Sequence, residues 1–562
     1  MKRTAVALTL AFAAVVAAAM GAQPPAPGYD LVIRGGRILD GTGNPWFPAD
    51  VAVKDGRIAA VGRLADATAT TVVDATGKYV APGFIDIHSH ADDGASPRGG
   101  LRDPSRERRT APNLVSQGIT TVVVNHDGRS PWPLSGQRAL LETHGIGVNA
   151  MLLVGHGTVR RQVMGDDVRR PSTAAEMAKM RALVRQALQE GAVGMSAGLE
   201  YEPGRWSTTS ELVELARELP PVNGVYISHE RSEGSDPLWY VPSQDGPGPP
   251  TLLDAVRETI EVGERTGARV VASHLKAKGA HYWGSSSAAV SLIQRARDRG
   301  VDVWADQYPY PTSGTDGSTV LVPAWATTAP GSTDRATVLR RVLGDPPTAR
   351  QLRADIAHEI QRRGGAENII VFDYTDKALY GKSLAEIAGL WKLDAVETAI
   401  RIQLEGLPDR RGGARMRGFS MAEADMEIIA RQPWVATSTD GGIALPEDGP
   451  STHARFYGSF TRKIRHYVID RGAISLEHAI RAATSLPGRI MGLADRGQVR
   501  EGMAADLVVF DLDTIRDKAT FFEPHQHSEG IEHVFVNGVA RVSGGRIVDA
   551  LPGRVLTRDR RP

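Results

Sequence analysis

Val80-Ala81-Pro82-Gly83-Phe84-Ile85-Asp86-Ile87-His88-Ser89-His90-Ala91-Asp92 reads as an apolar strand that ends in a His-x-His pair. Side chains alternate across a strand, so His88 and His90 point the same way at the place where the strand leaves a core. One histidine there would be an ordinary turn residue. Two imidazoles so placed make half of a metal site.

Outward from this strand the chain takes on a repeating rhythm. Met180, Leu183, Val184, Ala187 and Leu188 share a helical face, Gly191 follows, and Ala192 to Leu199 reads as a strand. Thr208-Thr209-Ser210-Glu211 predicts a capping box, Leu212, Leu215, Ala216 and Leu219 share a face, Pro220-Pro221 stops the helix, and Gly224 to Ser228 is a strand. Leu253, Val256 and Ile260 precede the strand Val270 to Ser273; Ala289, Leu292, Ile293 and Ala296 precede the strand Val301 to Ala305. Strands alternating with amphipathic helices imply a parallel sheet, and the number of units favours a closed (β/α)8 TIM-like barrel at residues 81–485. A long, mostly helical insertion from about 323 to about 433 interrupts it between the seventh and eighth strands, as a lid or specificity surface would.

Both ends of the chain differ from this interior. Tyr29 to Ile38 and Asp50 to Val61 read as short strands separated by Gly turns, and Ala505 to Asp511 and Val534 to Gly538 have the same character. Residues 29–80 and 490–555 therefore form one small β domain. Ahead of it, Met1-Lys2-Arg3, an Ala-rich apolar run and a Pro-rich start after Ala22 describe a signal peptide at 1–22, which predicts a periplasmic or secreted protein with no stable membrane insertion after its removal. A retained membrane anchor is the competing reading of the same run.

The 562 residues exceed one ordinary domain, and 66 Lys+Arg against 65 Asp+Glu, with no long block of one sign, argue against a nucleic-acid partner. The chain contains no cysteine, which excludes disulfides, thiolate ligands and a cysteine nucleophile. Any metal must be held by His, Asp, Glu or a modified Lys.

In such a barrel chemistry sits at the C-terminal ends of the strands. Those ends are His88/His90, Asn125-His126-Asp127, Gly155-His156, Glu200, His229, His274, Asp306 and Thr439-Asp440. His88, His90, His229 and His274 with Glu200 and Asp440 make an imidazole–carboxylate set suited to Zn2+, one or two ions per chain. Ser196 fits Gly-x-Ser-x-Gly spacing, but it lies inside a strand rather than at a strand-to-helix elbow, so serine catalysis is not expected. His126, His144, His156, His281, His525 and His527 are read as structural or exposed.

With these segments in view the chain resembles the amidohydrolase superfamily and, within it, the N-acyl-D-amino-acid deacylase (D-aminoacylase) group. The likeness runs from about Tyr29 to about Asp549 and is carried by Ala81 to Asp92, Gly118 to Val124, Gly194 to Gly204, Ser273 to Gly279, Asp306 to Tyr310, Ser438 to Gly441 and His453 to Phe460. The resemblance implies a (β/α)8 barrel with a β-sandwich from both termini and zinc-dependent hydrolysis of an amide on a D-amino acid. It also exposes a departure. Members with a zinc-bridging cysteine carry Gly-Asn-Cys-Gly where this chain has Asn125-His126-Asp127-Gly128. Glu200 ends strand four, where other amidohydrolases place a bridging Glu or carboxylated Lys. It is the expected bridge, and Asp127 is the second choice, since Asp-Gly is also a common turn.

Zinc lowers the pKa of a bound water to about 7 and polarises the scissile carbonyl. Asp440 is the expected catalytic acid/base. The substrate is a small molecule with a free carboxylate, met by Lys276 and Tyr201, with Tyr308 or Tyr310 and Arg455 as further donors. Alternative readings are a cyclic-amide hydrolase resembling dihydroorotase or hydantoinase, a dipeptidase, and, from another class, a non-catalytic scaffold with the same fold.

Overall fold

The computed structural model describes residues 28–93, 99–314, 319–331 and 334–558. The leader expected at 1–22 lies outside them. Eight parallel strands form the central barrel: Phe84–Asp86, Ile119–Val124, Asn149–Leu152 continued by Val154–Gly155, Gly194–Gly198, Val225–His229, Arg269–Ala272, Val303–Gln307 and Val435–Thr437. The third strand breaks at Leu153, so that its first part pairs with the second strand and its last two residues pair with the fourth. Ile119–Val124 is buried at every position because both faces are covered, which is why it reads as a continuous apolar run.

Local signals set the helix ends. Thr251 and Asp254 form a full capping box at the start of Leu252–Thr266, which ends at Gly267 with φ +70°. At Thr208 only half of the expected box forms: Thr208 accepts from the Glu211 backbone N–H, but the Glu211 carboxylate is buried against His156 and Arg160 instead. A buried guanidinium needs a counter-charge more than a helix start needs its second cap.

The barrel closes between its first and eighth strands. Thr439 donates its backbone N–H (2.9 Å) and its hydroxyl (2.5 Å) to the Asp86 carboxylate, and the Asp440 N–H donates to the His88 carbonyl at 2.9 Å.

Both chain ends build one nine-stranded sheet, in which Leu507–Phe510 pairs antiparallel with Tyr79–Pro82. The sheet folds over on itself, since Leu31, Val51, Leu507 and Phe535, from strands that are not all neighbours, share one apolar core. The insertion after the seventh strand has a core of its own around Leu339, Leu352, Ile369 and Ile387. It is mainly helical and carries an antiparallel pair, Ile369–Asp373 with Arg415–Gly418. Among the described residues no helix is long and apolar enough to cross a membrane.

Lys463 follows the helix Arg455–Arg462 and is buried, with its ammonium 5.3 Å from the centre of the Tyr467 ring. Burial pushes it down to about 7. The unfolded chain then binds more protons than the folded one between pH about 7 and about 10.4, so stability rises with pH across that window and the full cost of the buried charge is felt below it. Lys463→Met is expected to have the higher thermal midpoint at pH 7, with the gap to wild type narrowing by pH 9.5; a gap independent of pH would count against a buried, titrating ammonium.

Candidate metal centre

Four histidines and two aspartates converge at the C-terminal rim of the barrel. His88 Nε2, His90 Nε2 and Asp440 Oδ1 form one group, with 3.7 Å between His88 and Asp440 and 3.1 Å between His90 and Asp440. Asp127 lies between this group and the other two histidines: its Oδ1 is 3.7 Å from His88 Nε2, 3.4 Å from His229 Nδ1 and 4.0 Å from His274 Nε2, and its Oδ2 is 3.7 Å from His90 Nε2. His229 Nδ1 and His274 Nε2 face each other at 2.9 Å.

Three of the four rings are aimed from behind. Ser273 donates its hydroxyl to Asp306 Oδ2 at 2.7 Å, so its oxygen accepts the proton on His88 Nδ1 and leaves the His88 Nε2 lone pair facing inward. Asp93 accepts from His90 Nδ1, and Glu200 Oε2 accepts from His229 Nε2 at 3.3 Å, with the same result. His126 stacks on His88 with ring centres 3.9 Å apart and is held through Nε2 to the Val123 carbonyl, a supporting role.

The backbone is bent to present these groups. Asp127, His274 and Asp440 hold φ of +55°, +35° and +47°, a region L-residues visit rarely and that clusters at functional sites.

The electrostatics match a site for a cation. His88 is held well below its ordinary range, first by burial and then by the imidazoles around it. Burial also pushes the Asp127 carboxyl up, but His229, His90 and His274 outweigh it and hold the group well below the usual carboxylate range. For Asp440 burial again opposes, and Arg455, His274 and His90 bring it down to about 2. His88 Nε2 and Asp127 Oδ1 are buried with no hydrogen-bond partner. Unpartnered buried acceptors are costly unless a cation completes them, and this nitrogen–oxygen donor set fits Zn2+.

Of the residues expected from sequence, His88, His90, His229, His274 and Asp440 come together here. Glu200, expected as the bridge, stands behind His229, with its other oxygen accepting the Leu238 N–H at 2.7 Å; it joins none of the groups of converging donor atoms. Asp127 occupies the middle instead. A strand-end position did not distinguish the two, because Asp127 reaches the centre through a left-handed turn just past its strand.

Lys276, Tyr308, Arg455 and Tyr201 border the same centre. Lys276 Nζ is 2.8 Å from His274 Nδ1 and 5.4 Å from the centre of the Tyr308 ring. Tyr308 is buried with its hydroxyl unpartnered, Arg455 lies over its ring at 4.7 Å, and Arg455 Nη1 is 3.0 Å from Asp440 Oδ2. The Tyr201 ring is 4.4 Å from that of His229. Tyr310 turns away, donating to Asp517 at 3.1 Å.

Glu233 escaped the sequence reading. It is buried between two ammonium groups, accepting from Lys276 and, at 2.9 Å, from Lys278, and it lies 3.2 Å from His274 Nδ1. The available signal was Lys276-x-Lys278, two like charges on one face that require a carboxylate.

The amidohydrolase family model matches residues 71–216 and 377–542. The chain belongs to the amidohydrolase family. The N-acyl-D-glutamate deacylase of Alcaligenes xylosoxydans xylosoxydans is 37% identical over 552 residues, covering 94% of this chain and 97% of that protein. The solved N-acyl-D-glutamate deacylase of Bordetella bronchiseptica, complexed with zinc and a phosphonate mimic of the tetrahedral intermediate, is 33% identical, with 94% and 99% coverage and a TM-score of 0.71. A D-aminoacylase solved in work on its binuclear metal centre is 32% identical, with 94% and 100% coverage and a TM-score of 0.70. Within the family the chain takes its place among the N-acyl-D-amino-acid deacylases.

Glu233→Gln leaves two buried ammonium groups without their counter-charge, and removal of one partner from a buried pair costs about 3–5 kcal/mol. A clear drop in thermal midpoint is expected, partly restored by adding Lys278→Met; an unchanged midpoint in the single variant would show the pair to be solvated.

Proposed function

We propose that this chain is a zinc-dependent amidohydrolase that cleaves the linear amide of N-acyl-D-amino acids. The observation that carries this reading is the convergence of His88, His90 and Asp440 in one group beside His229 and His274, with Asp127 between them and buried His88 Nε2 and Asp127 Oδ1 left without partners. His88, His90 and Asp440 would hold one zinc, His229 and His274 a second, and Asp127 would be shared between them. Glu200 then positions His229 rather than bridging. Zinc bound there supplies a Lewis acid for the scissile carbonyl and makes a bound water acidic.

The protein's own groups do the rest. Asp440, ionised at neutral pH and held by Arg455, accepts a proton from the attacking water and returns it to the leaving nitrogen. Lys276, Arg455 and the unspent hydroxyl of Tyr308 receive the substrate's free carboxylate, while Tyr201, packed on the His229 ring, borders the scissile amide. Two ammonium groups around the single carboxylate of Glu233 keep this flank net positive. The apolar run after Met1-Lys2-Arg3 supports export to the periplasm or the medium.

The shared position separates the two candidate carboxylates. Loss of an orienting partner behind a metal-bound histidine costs about 10–100-fold in metal affinity. Glu200→Gln is expected to weaken zinc within that range in a chelator competition, and Asp127→Ala by more; the reverse order would return the bridge to Glu200.

For the reaction itself, a panel of N-acetyl-D-amino acids, their L-enantiomers, D-containing dipeptides, hydantoin and dihydroorotate decides. Release of free D-amino acids, abolished by chelator and restored by zinc, is expected to exceed every other arm. Preferred hydrolysis of L-substrates or of the cyclic amides would overturn the assignment.

A further inference from the structure

A cleft of about 410 Å3 opens directly beside Asp127, on the side of the barrel formed by the loops after the second, third and fourth strands. Arg129, Ser130, Thr158 and Arg161 line it together with Asp127 and Glu202. The two arginines are exposed, and among the described residues neither guanidinium makes an ion pair or a side-chain hydrogen bond. Arg129 is instead poised over the Tyr201 ring, 5.7 Å from its centre, and that ring in turn packs on His229. The carboxylate of Glu202 is committed elsewhere, 3.3 Å from Arg169 and 3.8 Å from Arg205. The Thr158 hydroxyl is spent on the Ser130 backbone, so the cleft offers two uncommitted cations and the Ser130 hydroxyl at the edge of the metal centre.

Its position says which part of a substrate enters it. Lys276, Tyr308 and Arg455 follow the sixth, seventh and eighth strands, and in a closed eight-stranded barrel these lie across the rim from the second, third and fourth. In an N-acyl-amino acid the α-carboxylate and the acyl chain leave the scissile amide in opposite directions. With the carboxylate on the Lys276 flank and the amide at the metal centre, the acyl chain runs into the cleft.

We infer that this cleft is an acyl-group subsite that selects acyl chains ending in a carboxylate, the half-amides of dicarboxylic acids, through Arg129 and Arg161. Guanidinium groups suit a carboxylate because they present paired N–H donors in its own geometry. Ser130 Oγ accepts the Gly155 N–H at 3.1 Å, so its hydroxyl hydrogen is free to turn toward the ligand. The inference rests on the deacylase reading given above and adds the chemistry of the released acid.

The test compares kcat/KM for N-succinyl-D-alanine, N-butanoyl-D-alanine and N-acetyl-D-glutamate, using wild type, Arg129→Met and Arg161→Met with zinc content measured in each. N-succinyl-D-alanine is expected to exceed N-butanoyl-D-alanine, which has a methyl in place of the carboxylate, by roughly two- to fivefold in wild type, the scale of a part-exposed ion pair, with the ratio falling toward one in each variant and further at high salt. A ratio near one in wild type, or one unchanged in both variants, overturns the subsite. If N-acetyl-D-glutamate gains most and loses most on substitution, the arginines read the amino-acid side chain and the acyl assignment fails. Absence of hydrolysis of all three D-substrates by zinc-loaded enzyme would instead refute the deacylase reading beneath it.

Discussion

The seam between the first and eighth barrel strands is the constraint on which the rest of this structure depends. Asp86, buried at the end of the first strand, takes both the backbone N–H and the hydroxyl of Thr439. Burial is the largest influence on that carboxyl and pushes it up to about 7, against the hydrogen bonds from Thr439. The next residues along each strand then bond directly: Asp440 N–H to the His88 carbonyl at 2.9 Å and His90 N–H to the Gly441 carbonyl at 2.8 Å. Two chain segments far apart in sequence are thereby locked in one register, and His88, His90 and Asp440 face a common point. Without the seam the His-x-His pair remains half a site.

The metal centre is a concentration of ionisable groups that would be prohibitive to bury singly. Its solution is an ordered outer layer. Asp306 acts through Ser273 on His88, Asp93 acts on His90, and Glu200 acts on His229, so each of these three rings spends one nitrogen outward and presents the other inward. What remains inside is four imidazoles facing two carboxylates; burial opposes charge on His229, but Asp127 and Glu200 outweigh it and raise that ring to about 10, a proton that a bound dication would displace. The positive φ values of Asp127, His274 and Asp440 show backbone conformations held for this arrangement.

Asp127 gives the centre its particular character. Its carboxylate is a hard ligand with two oxygens, so it faces four imidazoles from one side chain. Beside it, Arg129 takes the place two residues on, and the same short loop thus contributes both to the metal centre and to the cleft that adjoins it.

Much of this was readable from sequence because it rests on local physics. Period-two and period-3.6 apolar patterns marked alternating strands and helices, and strand ends in a parallel barrel must carry the chemistry, so His88, His90, His229, His274 and Asp440 could be named from position alone. The absence of cysteine likewise decided the ligand chemistry before any fold was known. Three matters were left to tertiary structure. Whether Asp127 or Glu200 sits in the middle depends on a left-handed turn past the second strand and on the Leu238 loop that draws Glu200 outward, and neither has a local signature. Glu233 became visible only when the loop after the fifth strand folded over Lys276 and Lys278. The pairing of the chain's two ends into one folded-over sheet rests on strand contacts spanning most of the sequence, such as Val508 with Ala81, which periodicity cannot report because it describes neighbours along the chain and not partners across it.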